Sequence, residues 1–323
     1  MKTNYLLRFT GVLMCSALLT IAGCKKDDDV PVTPATNTIT DVVVKSDDFS
    51  TLETAVLKAK LEGTLSSAGP FTVFAPDNAA FAASGITSAT LGTLTETQVK
   101  NILLYHTLGS KIVAAAVPAG PNAKVITTGG DSVFVTSNSS GVFINGIKVT
   151  QADISADNGI IHRINRVLLP PAGNIVQTAQ IPANGLDSLV KAIVRANNAT
   201  GGDPNLISTL SSATITVFAP TNLAFSRLLS DLSLTDIDQI DVATLLSVLR
   251  YHVAGGRNFS SDLANGNVAM LAGGNTTVNL TNGTAGGPTI TGNGNAGNKS
   301  NIVATNIVAR NGVVHVIDRV LLP

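Results

Sequence analysis

The sequence predicts an α+β protein made of two tandem copies of one unit, and three observations lead there. Long motifs recur once, in fixed order, along a chain of 323 residues. Within each copy, helical periodicity comes first and short β-rich runs separated by turns come later. Both copies also close on the same apolar run, Arg166-Val167-Leu168-Leu169-Pro170 and Arg319-Val320-Leu321-Leu322-Pro323. The composition agrees: 44% hydrophobic residues are enough to bury cores, which excludes wholesale disorder. Basic and acidic residues balance at 21 each with no basic block, which excludes a nucleic-acid binder held by phosphate neutralisation. Nothing reads as a polytopic membrane domain.

Residues 1–23 carry Lys2 and Arg8 ahead of an apolar stretch from Val12 to Ala22. That stretch is too short to span about 30 Å of hydrocarbon and has the length of a secretory h-region. It ends in Ile21-Ala22-Gly23-Cys24, which resembles the lipobox of bacterial lipoproteins, in which the cysteine thiol takes a diacylglyceryl group. Cys24 is therefore the expected lipidation site. Cys15 leaves with the signal peptide, so the mature chain keeps no thiol for a disulfide and must rely on its packed cores. Removing Lys2 and Arg8 leaves 19 basic against 21 acidic residues, a net charge of −2. Each buried acyl methylene contributes about 0.8 kcal/mol, and several chains give durable anchoring. Residues 24–38 then read as a lipidated cysteine and a polar tether: Lys25-Lys26-Asp27-Asp28-Asp29 is charged, and the Pro- and Thr-rich stretch after it is extended. The charged run resembles the surface-export tag of some Gram-negative lipoproteins, or is a plain spacer.

The first unit is placed at residues 39–171 and the second at 172–323. An amphipathic helix opens each, with Phe49, Leu52, Val56 and Leu57 on one stripe, matched by Leu186, Leu189, Ile193 and Val194. Thr72-Val73-Phe74 is a strand stopped by Pro76, with a short helix through Phe81. A second helix runs from about Thr95 to Leu108, opened by Thr95 and Gln98 in capping-box spacing. Val125-Ile126, Val133 to Val135, Val142 to Ile144 and Ile147 to Val149 are short strands of a mostly antiparallel meander. Gly129-Gly130, Asn138 to Gly141 and Asn145-Gly146 supply the turns. Ile160 to Leu169 is the last strand. From Phe74 to Phe218 the copies are 144 residues apart, from His106 to His252 146, and from His162 to His315 153, a drift that loop insertions produce.

Three motifs carry a family resemblance in both copies. The first is Thr72-Val73-Phe74-Ala75-Pro76-Asp77-Asn78-Ala79-Ala80-Phe81, repeated as Thr216-Val217-Phe218-Ala219-Pro220-Thr221-Asn222-Leu223-Ala224-Phe225. The second is Tyr105-His106, repeated as Tyr251-His252. The third runs from Asn158-Gly159 through His162 to Pro170, repeated from Asn311-Gly312 through His315 to Pro323. Together they resemble the fasciclin-type domain over nearly the whole mature chain. The resemblance implies a compact β-strand wedge or sandwich flanked by helices, in secreted or surface-anchored proteins of adhesion and extracellular matrix. It marks Asn78, Tyr105, His106, His162, Asn222, Tyr251, His252 and His315 as motif residues, structural or adhesive. In animal members the Tyr-His region is implicated in integrin contact, a partner that a bacterial protein need not have. The copies differ in Asn165 against Asp318 and Asp77 against Thr221, each a change that could weaken a local hydrogen bond.

All four histidines lie in these motifs, each in phase with apolar neighbours: His106 and His252 on helices, His162 and His315 on strands. They read as core residues whose ring nitrogens are satisfied by backbone or by Asp77, Asn78, Thr221 or Asn222. A zinc site would need a ligand spacing such as HxxxH, a free Cys or a close acidic pair. A serine triad would need a nucleophile elbow. Neither pattern is present, so no metal, no cofactor and no catalysis is expected. Gly292-Asn293-Gly294-Asn295-Ala296-Gly297 spells GxGxxG but leads into the β-like Ile302-Val303 instead of a helix, so it reads as a surface loop and not a dinucleotide site. This insertion and Asn197 to Asn205 are expected to be variable contact surfaces.

The expectation is a non-catalytic lipoprotein of the bacterial outer membrane, exposed at the cell surface. It would hold the membrane through its lipid and bind polysaccharide, matrix or a cell-surface protein through tandem fasciclin-like domains. The rival reading is an envelope protein that binds a small molecule or metal.

Overall fold

Apolar side chains on two edges of each repeat dictate where helices and sheet meet. In the computed structural model, which describes residues 37–323, the first domain carries helices α1 (Ile39–Val44), α2 (Ser50–Lys58), α3 (Glu62–Leu65), α4 (Asn78–Ala83), α5 (Ser88–Thr93) and α6 (Glu96–Tyr105). Its strands are β1 (Phe71–Pro76), β2 (Thr107–Leu108), β3 (Gly120–Ile126), β4 (Ser132–Asn138), β5 (Gly141–Ile144), β6 (Ile147–Ala156) and β7 (Gly159–Ile164). The second domain repeats the plan with α7 (Ile175–Ala179), α8 (Asp187–Asn198), α9 (Leu206–Ser212), α10 (Asn222–Asp231) and α11 (Val242–Tyr251). Its strands are β8 (Ile215–Pro220), β9 (Val253–Gly255), β10 (Gly266–Ala269), β11 (Asn275–Asn279), β12 (Thr289–Gly292), β13 (Ser300–Ala309) and β14 (Gly312–Ile317). The fold is α+β, as the order of periodicities predicts.

Each domain holds one seven-stranded sheet, ordered β2-β1-β7-β6-β5-β4-β3 and β10-β11-β12-β13-β14-β8-β9. The meander from β3 to β7 is antiparallel, and its centre is not: β1 pairs parallel to β7, and β8 parallel to β14. Parallel neighbours need a long crossover, and here the whole meander serves as that crossover. In each domain one core lies between the helices and one face of this pair. In the first it includes Phe49, Leu52, Val73, Leu103 and Ile161, and in the second Leu189, Ile193, Val217, Leu249 and Val314. A second core fills the inside of the folded sheet, around Phe74, Tyr105, Val133, Ile144 and Ile164, and around Phe218, Tyr251, Val278, Ile290 and Ile317.

Several expectations change in detail. Thr95 caps α6 with the reciprocal Gln98 bond, but the helix ends at Tyr105, three residues earlier than expected. Leu57 and Val194 leave the apolar stripe and stand 53% and 41% exposed, because each sits one residue, about 100°, past the face that Val56 and Ile193 bury. The final strands are shorter than predicted and stop at Ile164 and Ile317. Val167, Leu168, Val320 and Leu321 are buried in irregular chain outside the ladder. The expected signal peptide, Cys24 and most of the expected tether lie outside the described residues. Thr38, placed by sequence in the tether, instead closes a capping box with Asp41 at the start of α1, and Asn37 bonds to Asp157 through both its N–H and its carbonyl.

The two domains meet through a built interface. The Phe134 ring of β4 lies beneath the Arg257 guanidinium, 4.1 Å from ring centroid to Cζ, and 6.1 Å from the fully buried Phe259 ring. Arg257 is held in place by donating to the Ala309, Arg310 and Gly312 carbonyls of the β13–β14 hairpin. Around this stack, Asn122 donates to the Arg257 carbonyl and to Asp262, Thr136 donates to Asp262, Asn138 to the Ser261 carbonyl, and Asn306 to the Gly146 carbonyl. Gly146 has φ +73° and a Cβ there would lie 2.7 Å from Asn306, so both the turn and the contact require glycine.

Phe134→Ala removes the ring under Arg257 while leaving every hydrogen bond of the second domain's own hairpin. The expected loss is about 1–3 kcal/mol of stability, with the thermal transition splitting into two steps as the domains uncouple. Calorimetry of the wild type and the variant checks both.

Candidate functional site

The polar residues that the two copies share are the ones that could carry chemistry, and each has defined partners. His106 ends α6, and its position one turn after Ile102 lets Nδ1–H donate to the Ile102 carbonyl at 2.8 Å. Its Nε2 accepts the Leu168 N–H at 2.9 Å. His252 repeats both bonds, to the Val248 carbonyl at 2.7 Å and from the Leu321 N–H at 2.9 Å. One carbonyl and one amide fix a single neutral tautomer. Both rings are buried, and burial pushes each imidazole down from 6.5 to about 4, against the smaller opposing effect of the carbonyl bond. A proton on Nε2 would also face an N–H donor.

His162 and His315 sit on the central strand pair in register with Phe74 and Phe218 and stack on them, with centroids 5.7 and 5.5 Å apart. Here Nε2–H is the donor, to the Ile112 carbonyl at 2.8 Å and to the Asn258 carbonyl at 2.9 Å. Nδ1 of His162 accepts the Asp153 N–H at 3.2 Å, whereas Nδ1 of His315 is buried without a partner. Burial lowers the proton affinity of His315 as well. The ring partners are thus backbone groups throughout, and Asp77, Asn78, Thr221 and Asn222, named as alternatives from sequence, are engaged elsewhere. Asp77 and Thr221 cap α4 and α10 by accepting from Ala80 N at 2.7 Å and Ala224 N at 3.1 Å.

Asn78 and Asn222 cap other helices across the fold. Asn78 Oδ1 accepts the Thr51 N–H near the start of α2, while its Nδ2 donates to the Asp47 carbonyl and Ser50. Asn222 accepts the Ser188 N–H at the start of α8 and donates to Asp187. The Tyr105 hydroxyl donates to the Ser132 carbonyl and accepts from Asn145, and burial pushes its pKa up to about 12. The Tyr251 hydroxyl donates to the Asn275 carbonyl and accepts the Asn293 N–H. Asn165 and Asp318 share a main-chain bond, each N–H donating to a carbonyl of the neighbouring strand, Lys148 or Asn301, and differ in the side chain: the Asp318 carboxylate also accepts from the main chain and side chain of Asn301, at 2.7 and 2.8 Å.

Three repeated pairs escape a reading for catalytic residues. Asn158 accepts the Ile39 N–H and donates to the Leu65 and Ser67 carbonyls. Asn311 does the same with Ile175, Leu210 and Ala213. The glycines that follow them are forced, since a Cβ at Gly159 or Gly312 would overlap the Phe71 or Ile215 carbonyl. Asp153 and Asn306 hold a left-handed bulge, φ +60° and +63°, and accept the Ala114 and Ser260 N–H groups. Thr72 and Thr216 bridge Ser110 to Ile112 and Gly256 to Asn258. The available signals were the Asn-Gly dipeptide within the closing motif and the threonine that opens the first motif in both copies; Asp153 and Asn306 are different residues in unlike surroundings. The glycine-rich stretch after β12 also departs from a simple surface loop, because Asn295 is buried and holds the Val320 carbonyl and the Leu322 and Gly292 N–H groups.

The geometry therefore keeps the four imidazoles apart, each inside its own packing, and among the described residues no three His, Cys, Asp or Glu side chains group as metal ligands. The family model of the fasciclin domain matches residues 47–170 and again 191–323. The chain belongs to the fasciclin family. Over 141 residues this fasciclin protein is 40% identical to protein sll1483 of Synechocystis sp., covering 43% of this chain and 77% of that one. Over 146 residues it is 40% identical to the transforming growth factor-beta-induced protein ig-h3 of Sus scrofa, covering 45% of this chain and only 21% of that one. The matched segment thus spans about a fifth of the ig-h3 chain. Among solved structures, a FAS1 domain pair from the insect cell adhesion molecule fasciclin I aligns over 85% of this chain and 97% of its own, at 19% identity and a TM-score of 0.40.

Two measurements probe these fasciclin motifs. Between about pH 6.5 and pH 4 an unfolded chain protonates His106 and His252 and the native chain does not, so stability rises with pH through that window and levels off above it. The effect is on the order of 3 kcal/mol for each imidazole at the acid end. His252→Gln, which keeps a donor and an acceptor but does not titrate, should flatten part of that slope in urea midpoints read from pH 7 to pH 4. Asn311→Ala strands one N–H and two carbonyls and should cost about 2–4 kcal/mol. Asn311→Asp keeps the acceptor but sets a carboxylate oxygen against the Leu210 and Ala213 carbonyls, so it should recover nothing in the same denaturation assay at pH 7.

Proposed function

We propose that this fasciclin-family protein is a non-catalytic adhesion lipoprotein, anchored in the bacterial outer membrane through Cys24 and displayed at the cell surface. Its ligand is polysaccharide, matrix or another cell's surface protein. One observation carries the reading: the side chains that the two copies share are committed to holding main-chain groups of their own domain. His106, His252, Asn158 and Asn311 each join sequence-distant segments in this way. Recognition is then a task for exposed surface, which suits attachment more than turnover. Membership of a family whose domains are found in cell-adhesion proteins is consistent with this. The lipobox residues Ile21-Ala22-Gly23-Cys24 support the anchor, and the polar stretch behind them supports a tether reaching away from the membrane.

Deleting residues 39–323 while keeping the anchor should reduce attachment of cells to each other or to a coated surface. Unchanged attachment would overturn the adhesive role. Cys24→Ala should abolish labelling by a fatty-acid probe and release the protein from the membrane fraction, and a labelled variant would overturn the anchor.

A further inference from the structure

The two domains carry the same sheet but present opposite chemistry on its outer face. Matching hydrogen bonds set the correspondence: Tyr105 donates to the Ser132 carbonyl and Tyr251 to the Asn275 carbonyl, so Phe134 of β4 corresponds to Thr277 of β11. In the first domain the outer row runs Lys124–Phe134, and Phe134 is the residue docked under Arg257. In the second domain the row runs Asn267–Thr277–Thr291 across β10, β11 and β12, flanked by Ala269 and Asn275. Asn267, Ala269, Asn275 and Thr277 are exposed. The donating side of the interface does not recur either. His162 and His315 bond the Ile112 and Asn258 carbonyls, which places Lys111 opposite Arg257 and Val113 opposite Phe259. The face that receives a protein surface in one domain is therefore open in the other, and lacks the aromatic ring and the apolar area that seated that docking.

What replaces them is amide and hydroxyl. From Leu263 to Ala309 the sequence has one charged side chain, Lys299, and its ammonium is bonded to the Asn282 carboxamide oxygen at 2.7 Å. Thr277 donates to the Asn267 carboxamide oxygen at 3.2 Å, which fixes both side chains and leaves the amide nitrogen as the end available to a ligand. Adjacent strands repeat such groups about every 4.8 Å. Carboxamides and hydroxyls both give and accept hydrogen bonds, and a neutral polyol does the same. An anionic ligand would find no free cation in the row, and an apolar one no aromatic ring and a single exposed large aliphatic group, Leu271, just beyond β10.

Resting on the adhesive reading above, we propose that the outer face of β10–β11–β12, centred on Asn267 and Thr277, binds a neutral polysaccharide. The mature chain with Cys24→Ala is passed over immobilised dextran, amylose, cellulose and galactan, with polygalacturonate as the anionic comparison. Retention is expected on at least one neutral polymer. It should persist as salt rises from about 0.01 M to about 1 M, where the Debye length falls from ~30 to ~3 Å. The double variant Asn267→Ala/Thr277→Ala should weaken it about tenfold, the effect of two net hydrogen bonds, and Thr277→Lys should weaken it too, while Lys124→Ala in the first domain should not. The proposal is overturned by retention on polygalacturonate alone, by neutral binding that ignores the double variant, or by no retention at all. Self-association that Thr277→Lys abolishes would give the face to a second copy and overturn it equally. Cells carrying the double variant separate this inference from the adhesive reading. Attachment lost on deleting both domains but intact in the double variant sinks only the proposed face.

Discussion

The fold depends on a neutral imidazole spanning the end of a helix and the chain that leaves the sheet. His106 takes one carbonyl from its own helix and one amide from Leu168, and His252 does so with Val248 and Leu321. Those amides belong to a segment that has left the ladder and has no strand partner to satisfy it. Without the ring, a buried N–H would go unpaired in each domain, the helix-end carbonyl would lose its imidazole donor, and the closing run would lose its place against the inner core. The apolar residues beside those amides, Leu168 and Leu321, can then be buried completely. The same imidazole is useful only while uncharged, so the packing that needs it is the packing that lowers its proton affinity.

A second constraint follows from the parallel pairing at the centre. Because β1 and β7 lie side by side but far apart in sequence, closing them leaves loops on both sides with unpaired main chain. The repeated side chains answer that need: Asn158 ties α1 and the end of α3 to the turn before β7, and Thr72 turns the chain beyond β2. Burying such groups is tolerable because their bonds are complete. Where one is missing, at Nδ1 of His315, the second domain has Asn306 at the bulge that Asp153 holds in the first. Asn306 also donates to Gly146 of the neighbouring domain, so this one site joins the inner clamp to the interface.

How much of this was legible in sequence follows the same physics. The α6 capping box, the paired cores and the inward phase of all four histidines came from local spacing, which sequence displays directly. Parallel pairing of β1 with β7 did not, since periodicity within a strand says nothing of its neighbour. The early exit from the last strand was hidden because Val167 and Leu168 are as apolar as ladder residues. Asp153 and Asn306 were invisible as a pair for a different reason: both work through backbone bulges, and either side chain can accept the same N–H. The interface could not be read at all, since Phe134 and Arg257 occur in one copy each and a search for what repeats passes over them.

That last point bears on why a duplicated chain holds unequal halves. A head-to-tail contact between equivalent domains is open-ended: if each copy offered both the aromatic face and the arginine loop, every free end could accept another molecule. Here the contact is made once, inside the chain, and the outer ends lack its partners, with Thr277 where Phe134 stands and Lys111 where Arg257 stands. Replacing an aromatic by a hydroxyl on an exposed sheet face removes the apolar area that would drive stacking. It also frees that face to diverge under a different demand, because no interdomain packing is lost when it changes. The conserved form of the two domains and the divergence of their outer faces are thus consequences of one arrangement: the shared polar residues are locked into the main chain, and only the surfaces left over after docking are available to recognise anything.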